Sequence, residues 1–243
     1  MKLYTAETYG EHVAGVYDKW YQDYDPAAIS ILAELARDGR ALELGIGTGR
    51  LALPLAARGV EVYGIDAAPA MVAQLRAKPG GDRVEVTIGD FADVDVPGEF
   101  ALIYIAFNTF FALLTQETQV RCFRNVAAHL VAGGCFLIEA FVPDIKRFDG
   151  EQTNRATTVT TEHIELDVAR HERAQQSVIG QKVVITDGAV HLYPIQIRYA
   201  WPAELDLMAQ LAGLRLRERW EDWQRAPFTS QSGKHISLYE SAH

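Results

Sequence analysis

Hydrophobic positions along the chain follow two patterns, and the change falls near residue 144. Before it, short apolar runs alternate with segments in which apolar residues recur every three or four positions. The runs lie at 41–44, 60–66, 84–88, 100–106 and 135–141. Such runs, joined by helical segments, predict parallel strands buried between helices. We therefore predict an α/β core.

Between residues 144 and 200 the pattern changes, and apolar positions alternate with polar ones from His163 to Val168 and from Ile195 to Tyr199. Period two, with Asp187-Gly188 between two such runs, is typical of antiparallel hairpins. We expect three regions: 1–143 as an N-terminal lid plus cofactor-binding core, 144–200 as an inserted antiparallel cap over the substrate mouth, and 201–243 as the segment that completes the core sheet.

A glycine-dense turn follows the first predicted strand. It contains Gly45, Gly47 and Gly49 at alternate positions, and a helix-prone segment comes next. Glycines let the backbone bend sharply and let a ligand approach it closely. A strand, such a turn and a helix form a nucleotide-type binding corner at the carboxyl end of a parallel strand. The next predicted strand ends in Asp66, whose carboxylate can accept both hydroxyls of a ribose.

The pattern Glu43-x-Gly45-x-Gly47-x-Gly49 resembles the first motif of the class I S-adenosyl-L-methionine (SAM) methyltransferases. A dinucleotide fingerprint needs glycine at the position of Arg50, so an oxidoreductase is the weaker interpretation. The resemblance implies a Rossmann-like seven-stranded sheet flanked by helices, with the antiparallel cap inserted. It also implies an enzyme that uses SAM and releases S-adenosyl-L-homocysteine (SAH).

The resemblance also implies which residues bind the cofactor. Aside from the glycines, Asp66 would take the ribose, Met71 and Phe91 would contact adenine, Asp90 would accept its amine, and Ala106 would lie near the methionine amine. The full predicted cofactor set is Tyr17, Glu43, Gly45, Gly47, Gly49, Asp66, Ala67, Met71, Asp90, Phe91, Ala106 and Phe107.

The first 25 residues are rich in tyrosine, and two short stretches around Tyr9 and Tyr17 resemble the N-terminal lid of small-molecule N-methyltransferases that act on amino sugars. In that family a lid tyrosine lies over the cofactor near the transferring methyl, where an aromatic face suits a sulfonium cation. Tyr9 and Tyr17 are therefore our candidate catalytic residues. Core packing of these rings is the alternative.

The acceptor is not readable from the sequence. A buried amine loses its proton without a dedicated base, whereas an aliphatic hydroxyl needs one, so we favour an amine over oxygen. A SAM-binding protein without activity is a further alternative. Besides the two tyrosines, possible bases are Glu139, His163, His191 and His235, and possible acceptor contacts in the cap are Arg155, Gln181, Arg198 and Trp201.

Composition bears mainly on partners and location. The net charge of −9 disfavours nucleic acid and anionic membranes, so we expect a small-molecule substrate. The start of the chain lacks the apolar region of a signal peptide, and Cys122 and Cys135 lie in apolar segments. We expect a cytoplasmic protein with reduced cysteines and no metal, and leave its oligomeric state open.

Overall fold

A computed structural model describes residues 4–242. Met1, Lys2 and Leu3 of region 1–143 and His243 of region 201–243 lie outside the described residues. The main sheet has seven strands: β1 Ala41–Leu44, β2 Val62–Asp66, β3 Glu85–Ile88, β4 Phe100–Ile105, β5 Leu130–Phe141, β10 Leu214–Trp220 and β11 Lys234–Ser241. Their order across the sheet is β10-β11-β5-β4-β1-β2-β3. Neighbouring strands are parallel except around β11, which runs antiparallel to both β5 and β10.

Helices cover both faces of this sheet. They are α1 Thr8–Val13, α2 Tyr17–Trp20, α3 Pro26–Ala36, α4 Ala52–Ala57, α5 Pro69–Arg76, α6 Gln116–Ala128 and α7 Pro202–Leu211. The apolar side chains of α3 and α4 join one buried cluster, and those of α6 and α7 join another on the opposite face. The continuous apolar runs of the central strands follow from this burial on both sides.

Local sequence signals explain where the helices begin. Asp25 accepts a hydrogen bond from the amide of Ala27 at 2.9 Å, and Pro26 occupies the first helical position of α3. Thr115 caps α6 in the same manner through the amide of Thr118. The predicted N-cap at Asp25 is thus confirmed.

The end of α6 differs from what its sequence predicts. The spacing of Val120, Phe123, Ala127 and Leu130 predicts a helix over 115–130 that Gly133-Gly134 ends, but α6 ends at Ala128 and β5 already begins at Leu130. Leu130 pairs with Phe100 in the sheet. A Cβ on Gly134 would lie 3.0 Å from the Phe100 carbonyl oxygen, so this glycine permits close strand packing.

A second, antiparallel sheet has four strands in the order β6-β7-β8-β9. They are β6 Gln152–Val159, β7 His163–Glu172, β8 Ser177–Thr186 and β9 Ala189–Arg198. Asp187 and Gly188 form the β8–β9 turn with positive φ angles of 49° and 75°. The period-two pattern predicted these hairpins, and the predicted fold class is confirmed.

The N-terminal segment, residues 4–24, contacts both α5 of the core and β9 of the second sheet. Its Glu11 accepts a hydrogen bond of 3.0 Å from the Ala70 amide in the first turn of α5. On the other side, Trp20 packs edge to face on Tyr193 of β9, with ring centroids 4.7 Å apart. Within the described residues, no helix has the length and apolarity needed to cross a membrane.

Candidate active site

A cavity of about 500 Å³ lies at the carboxyl end of the central strands. This volume is in the range of small-molecule sites. The N-terminal segment, the ends of β1, β2 and β4, and part of β9 enclose it. Twelve of the thirteen residues predicted to act in catalysis or cofactor binding line it: Tyr9, Tyr17, Glu43, Gly45, Gly47, Asp66, Ala67, Met71, Asp90, Phe91, Ala106 and Phe107.

The glycine turn follows β1 and forms the floor of the cavity. Gly45, Gly47 and Gly49 have positive φ angles of 73°, 55° and 77°, which favour glycine over residues with a Cβ. Gly49 does not line the cavity, because it faces the helix: a Cβ there would lie 3.0 Å from atoms of Leu53 and Leu75. Its role is to let α4 and α5 pack closely.

Asp66 joins the glycine turn to the second strand. Its Oδ2 accepts a hydrogen bond of 2.7 Å from the Gly47 amide, and its Oδ1 accepts one of 2.9 Å from the Ala68 amide. Burial raises the pKa of Asp66, although both amides oppose the shift. Each carboxylate oxygen has a second lone pair, so Asp66 retains capacity to accept hydroxyl groups.

The third strand contributes Asp90 and Phe91. Asp90 accepts a hydrogen bond of 2.9 Å from the Ala92 amide, a contact typical of an aspartate in a turn. Phe91 and Met71 are buried, and both line the cavity near the glycine turn. The structure therefore brings the predicted ribose and adenine contacts to one end of the cavity.

Glu43 is the most deeply buried carboxyl group in the cavity wall. Its Oε2 accepts a hydrogen bond of 2.9 Å from the Tyr104 hydroxyl in β4. Burial raises the pKa of Glu43 to about 8, against the opposing effects of Tyr104 and Arg50. Glu43 therefore holds its proton at neutral pH in the protein without ligand.

Four tyrosines of the N-terminal segment also line the cavity: Tyr4, Tyr9, Tyr17 and Tyr21. The Tyr17 and Tyr21 ring centroids are 4.9 Å apart. Burial raises the pKa of Tyr17 to about 12 and raises that of Tyr9 further. Both phenols stay neutral at physiological pH, so they can donate or accept hydrogen bonds but cannot serve as phenolate bases.

The other candidate bases lie elsewhere. Glu139, His163, His191 and His235 are not among the described residues that line the cavity. His163 contacts Glu165 at 3.2 Å, and His235 is buried beside Ser237. Glu139 accepts a hydrogen bond from the Phe107 amide, so it caps a backbone group of the segment that follows β4.

The possible acceptor contacts in the second sheet and beside it, Arg155, Gln181, Arg198 and Trp201, are not among the described residues that line this cavity. Arg198 pairs with Glu204 at 2.7 Å inside the protein. The second sheet contributes Ile195, Gln196 and Ile197 of β9 to the lining. Period two predicted this strand but not which of its residues line the cavity.

Further lining residues that the sequence did not indicate follow β4: Ala112, Leu113, Leu114, Thr115 and Thr118. Their only signal was their position after β4, where substrates of open α/β sheets bind. In the part of the chain that the structure describes, no group of three or more His, Cys, Asp or Glu side chains could hold a metal ion. Cys122 and Cys135 are free and buried.

The strand order, the reversed β11 and a glycine turn facing a carboxylate at the end of β2 are together those of class I SAM-dependent methyltransferases. A family model described as a methyltransferase domain, Methyltransf_25, matches residues 41–134. The structure of the CcbJ methyltransferase from Streptomyces caelestis is 37% identical, with a TM-score of 0.92, and the match covers 99% of this chain and 100% of that one.

Two further proteins to which the chain is similar are also methyltransferases. Cypemycin N-terminal methyltransferase from a Streptomyces species is 28% identical over 207 residues, 84% of each chain. SAM-bound CalS10, an amino pentose methyltransferase from Micromonospora echinaspora, is 22% identical, with a TM-score of 0.68 and 98% of each chain covered, and shows the shared fold. The chain belongs to the class I SAM-dependent methyltransferase family, and SAM is its cofactor.

The residues present fit this cofactor. The glycine turn lets the backbone lie against a ligand, and the carboxylates of Asp66 and Asp90 can accept hydrogen bonds from ribose hydroxyls and an adenine amine. Phe91 and Met71 offer apolar surface to the base. When bound, SAM would supply an electrophilic methyl group on a sulfonium: a neutral nucleophile would bond to the methyl carbon as the carbon–sulfur bond breaks, with SAH as the leaving group.

Proposed function

We propose that this enzyme methylates an amine of a small-molecule acceptor inside this cavity. One observation carries the proposal: the described residues that line the cavity leave no free base at neutral pH. Tyr9 and Tyr17 remain neutral, Glu43 holds its proton, and we assign Asp66 and Asp90 to the cofactor. The described part of the lining contains no histidine, lysine or cysteine. A reaction that needs no protein base suits this cavity best.

An amine acceptor needs no protein base because burial itself favours its neutral form. An alkyl amine has a pKa near 10.4 in water and is protonated at neutral pH. Burial in a cavity with apolar walls disfavours the ammonium form and frees the lone pair. An aliphatic alcohol would need a base to remove its proton. Holding the two reactants together can account for roughly 7–11 kcal/mol of the barrier.

In this proposal the predicted residues keep distinct roles. Asp66 binds the ribose, Asp90 with Phe91 and Met71 binds adenine, and Ala106 lies near the methionine amine. Tyr17 and Tyr9 present their rings to the sulfonium and use neutral hydroxyls to orient the amine. Region 144–200 acts as the cap, with Ile195, Gln196 and Ile197 in contact with the acceptor.

A relative also supports an amine. The cypemycin enzyme acts, by its name, at an N-terminus, which is an amine. This likeness extends over most of both chains. It favours nitrogen over oxygen in the acceptor without specifying the rest of the molecule.

A panel of paired acceptors tests the proposal. Primary and secondary amines, including amino sugars and peptide N-termini, are each paired with the alcohol of the same skeleton, and SAH release is measured. We expect turnover with amines and a kcat/KM that rises with pH as the free amine is deprotonated. Methylation of the alcohols alone would refute nitrogen as the acceptor, and SAM binding without turnover of any compound would favour an inactive protein.

A further inference from the structure

Glu139 connects the C-terminal part of the chain to the wall of the cofactor site. Its side chain is 13% exposed. One carboxylate oxygen, Oε2, accepts a hydrogen bond of 3.1 Å from the Phe107 amide, and the other, Oε1, accepts one of 3.1 Å from the Trp223 indole. Both donors are N–H groups, so each needs an acceptor, and the two oxygens of Glu139 supply one each.

The backbone that Glu139 holds is strained. Phe107 and Asn108 both have positive φ angles, 55° and 67°, which residues with a Cβ rarely adopt. Such a conformation persists only where the surroundings fix it. Glu139 fixes it twice, because its backbone carbonyl also accepts from the Asn108 amide at 3.1 Å. The Asn108 side chain adds a 2.7 Å hydrogen bond from the Phe141 amide.

This conformation places the Phe107 ring in the cavity wall, where the N-terminal segment rests on it. The Tyr21 ring packs edge to face on Phe107, with centroids 4.8 Å apart. The Arg50 guanidinium lies 4.5 Å from the Phe107 centroid and also donates to the Asp23 carbonyl oxygen at 3.1 Å. Phe107 thus contacts both the N-terminal segment and the residue that follows the glycine turn.

We propose that Glu139 is a positioning residue for the cofactor site: through the Phe107 amide it sets the ring on which the N-terminal segment closes over the cofactor. Glu139 itself does not touch the cavity. The proposal concerns retention of the cofactor and holds for any methyl acceptor. Its failure is therefore distinguishable from failure of the amine assignment.

The substitution Glu139→Gln tests this with little change in shape. A glutamine has one acceptor oxygen, so its NH₂ group must face either the Phe107 amide or the Trp223 indole, donor against donor. We expect SAH to bind about tenfold more weakly by calorimetry, because the Phe107 amide or the Trp223 indole then faces a donor instead of its acceptor. The matched control is Glu218→Gln, since Glu218 also accepts an indole hydrogen bond, from Trp220 at 3.1 Å, outside the cavity.

A second substitution separates positioning from a general loss of stability. Trp223→Phe removes the competing donor, so in Glu139→Gln/Trp223→Phe the glutamine oxygen is free to accept from the Phe107 amide. We expect this double variant to recover SAH affinity to within about threefold of Trp223→Phe alone. All titrations are run well below the melting temperature of each variant, measured by circular dichroism.

If Glu139→Gln does not fold, Phe107→Ala tests the role of the ring that Glu139 positions. This variant should weaken SAH binding to a similar extent, because it removes the ring. The proposal is overturned if Glu139→Gln binds SAH as tightly as Glu218→Gln does, if Trp223→Phe restores nothing, or if Phe107→Ala leaves SAH affinity unchanged.

Discussion

The Oδ1 atom of Asp18 accepts a hydrogen bond of 2.6 Å from the Thr48 hydroxyl, which joins α2 directly to the glycine turn. Lys78 extends this contact: its ammonium lies 2.7 Å from Asp18 Oδ2 and donates to the Thr48 carbonyl oxygen at 2.8 Å. Asp18, Thr48 and Lys78 therefore connect the N-terminal segment, the turn and the end of α5. We refer to them as the Asp18 cluster.

Substitution of Asp18 by alanine should accelerate product release. It removes both the hydroxyl bond and the ion pair that hold the N-terminal segment against the turn. These groups are partly exposed, and such pairs contribute about 1 kcal/mol or less each, so we expect SAH to dissociate roughly three- to thirtyfold faster. Stopped-flow displacement of SAH measures this rate.

Glu34→Ala is the matched control for Asp18. It removes an ion pair of the same length, 2.7 Å to Arg225, on residues outside the cavity lining. Equal SAH dissociation rates in the two variants would show that the Asp18 cluster does not control release.

Asp66→Ala should nearly abolish cofactor binding. The substitution removes the acceptor of the Gly47 and Ala68 amides and the proposed acceptor of the ribose hydroxyls. Because each unpaired buried group costs about 1–3 kcal/mol, we expect SAH affinity to fall at least about a hundredfold. Calorimetry measures the change, with Asp82→Ala at an exposed position as the control. Unchanged affinity would remove the ribose role from Asp66.

Glu43 should make the protein less stable as pH rises. Burial raises its pKa from 4.5 to about 8, so between these values the folded state holds a proton that the unfolded state has lost. Stability contributed by the neutral carboxyl is therefore present at low pH and declines as pH rises from about 4.5 to 8. Above pH 8 this contribution no longer changes.

The isosteric variant Glu43→Gln isolates the Glu43 effect, because glutamine stays neutral and keeps an acceptor for Tyr104. Burial lowers the pKa of His235 to about 4 and so acts in the opposite direction, with stability lost as pH falls from 6.5 toward 4. The difference in urea stability between the variant and the wild type cancels that effect. We expect the variant to gain relative stability from pH 5 to pH 8, and a flat difference would contradict an ionising Glu43.

Much of the fold and one end of the site could be predicted because they depend on local signals. Apolar runs, Asp25-Pro26 and the glycine turn each determine the structure of their own neighbours, and Asp66 follows from its place at a strand end. The fold, the enzyme class and SAM as cofactor are confirmed by the structure and by its relatives.

What could not be predicted depends on contacts between distant segments. Asp18 meets Thr48 and Lys78 only after the N-terminal segment folds back over the sheet. The sequence also did not indicate which residues of β9 line the cavity, because alternation of apolar and polar residues predicts a strand but not the part of it that meets a distant segment. Arg198 resembled a ligand contact in the sequence, but its charge is balanced inside the protein by Glu204.

The hydroxyl groups of Tyr9 and Tyr17 should matter for turnover and little for cofactor affinity. Phenylalanine keeps the aromatic face that suits the sulfonium but cannot orient the amine, so in Tyr9→Phe and Tyr17→Phe we expect SAH affinity within about threefold of wild type and kcat about ten- to a hundredfold lower. Tyr24→Phe is the control, since Tyr24 is 36% exposed and outside the cavity lining. Because both phenols stay neutral, neither variant should alter the pH profile below pH 10. Full activity in both variants would return these rings to a packing role.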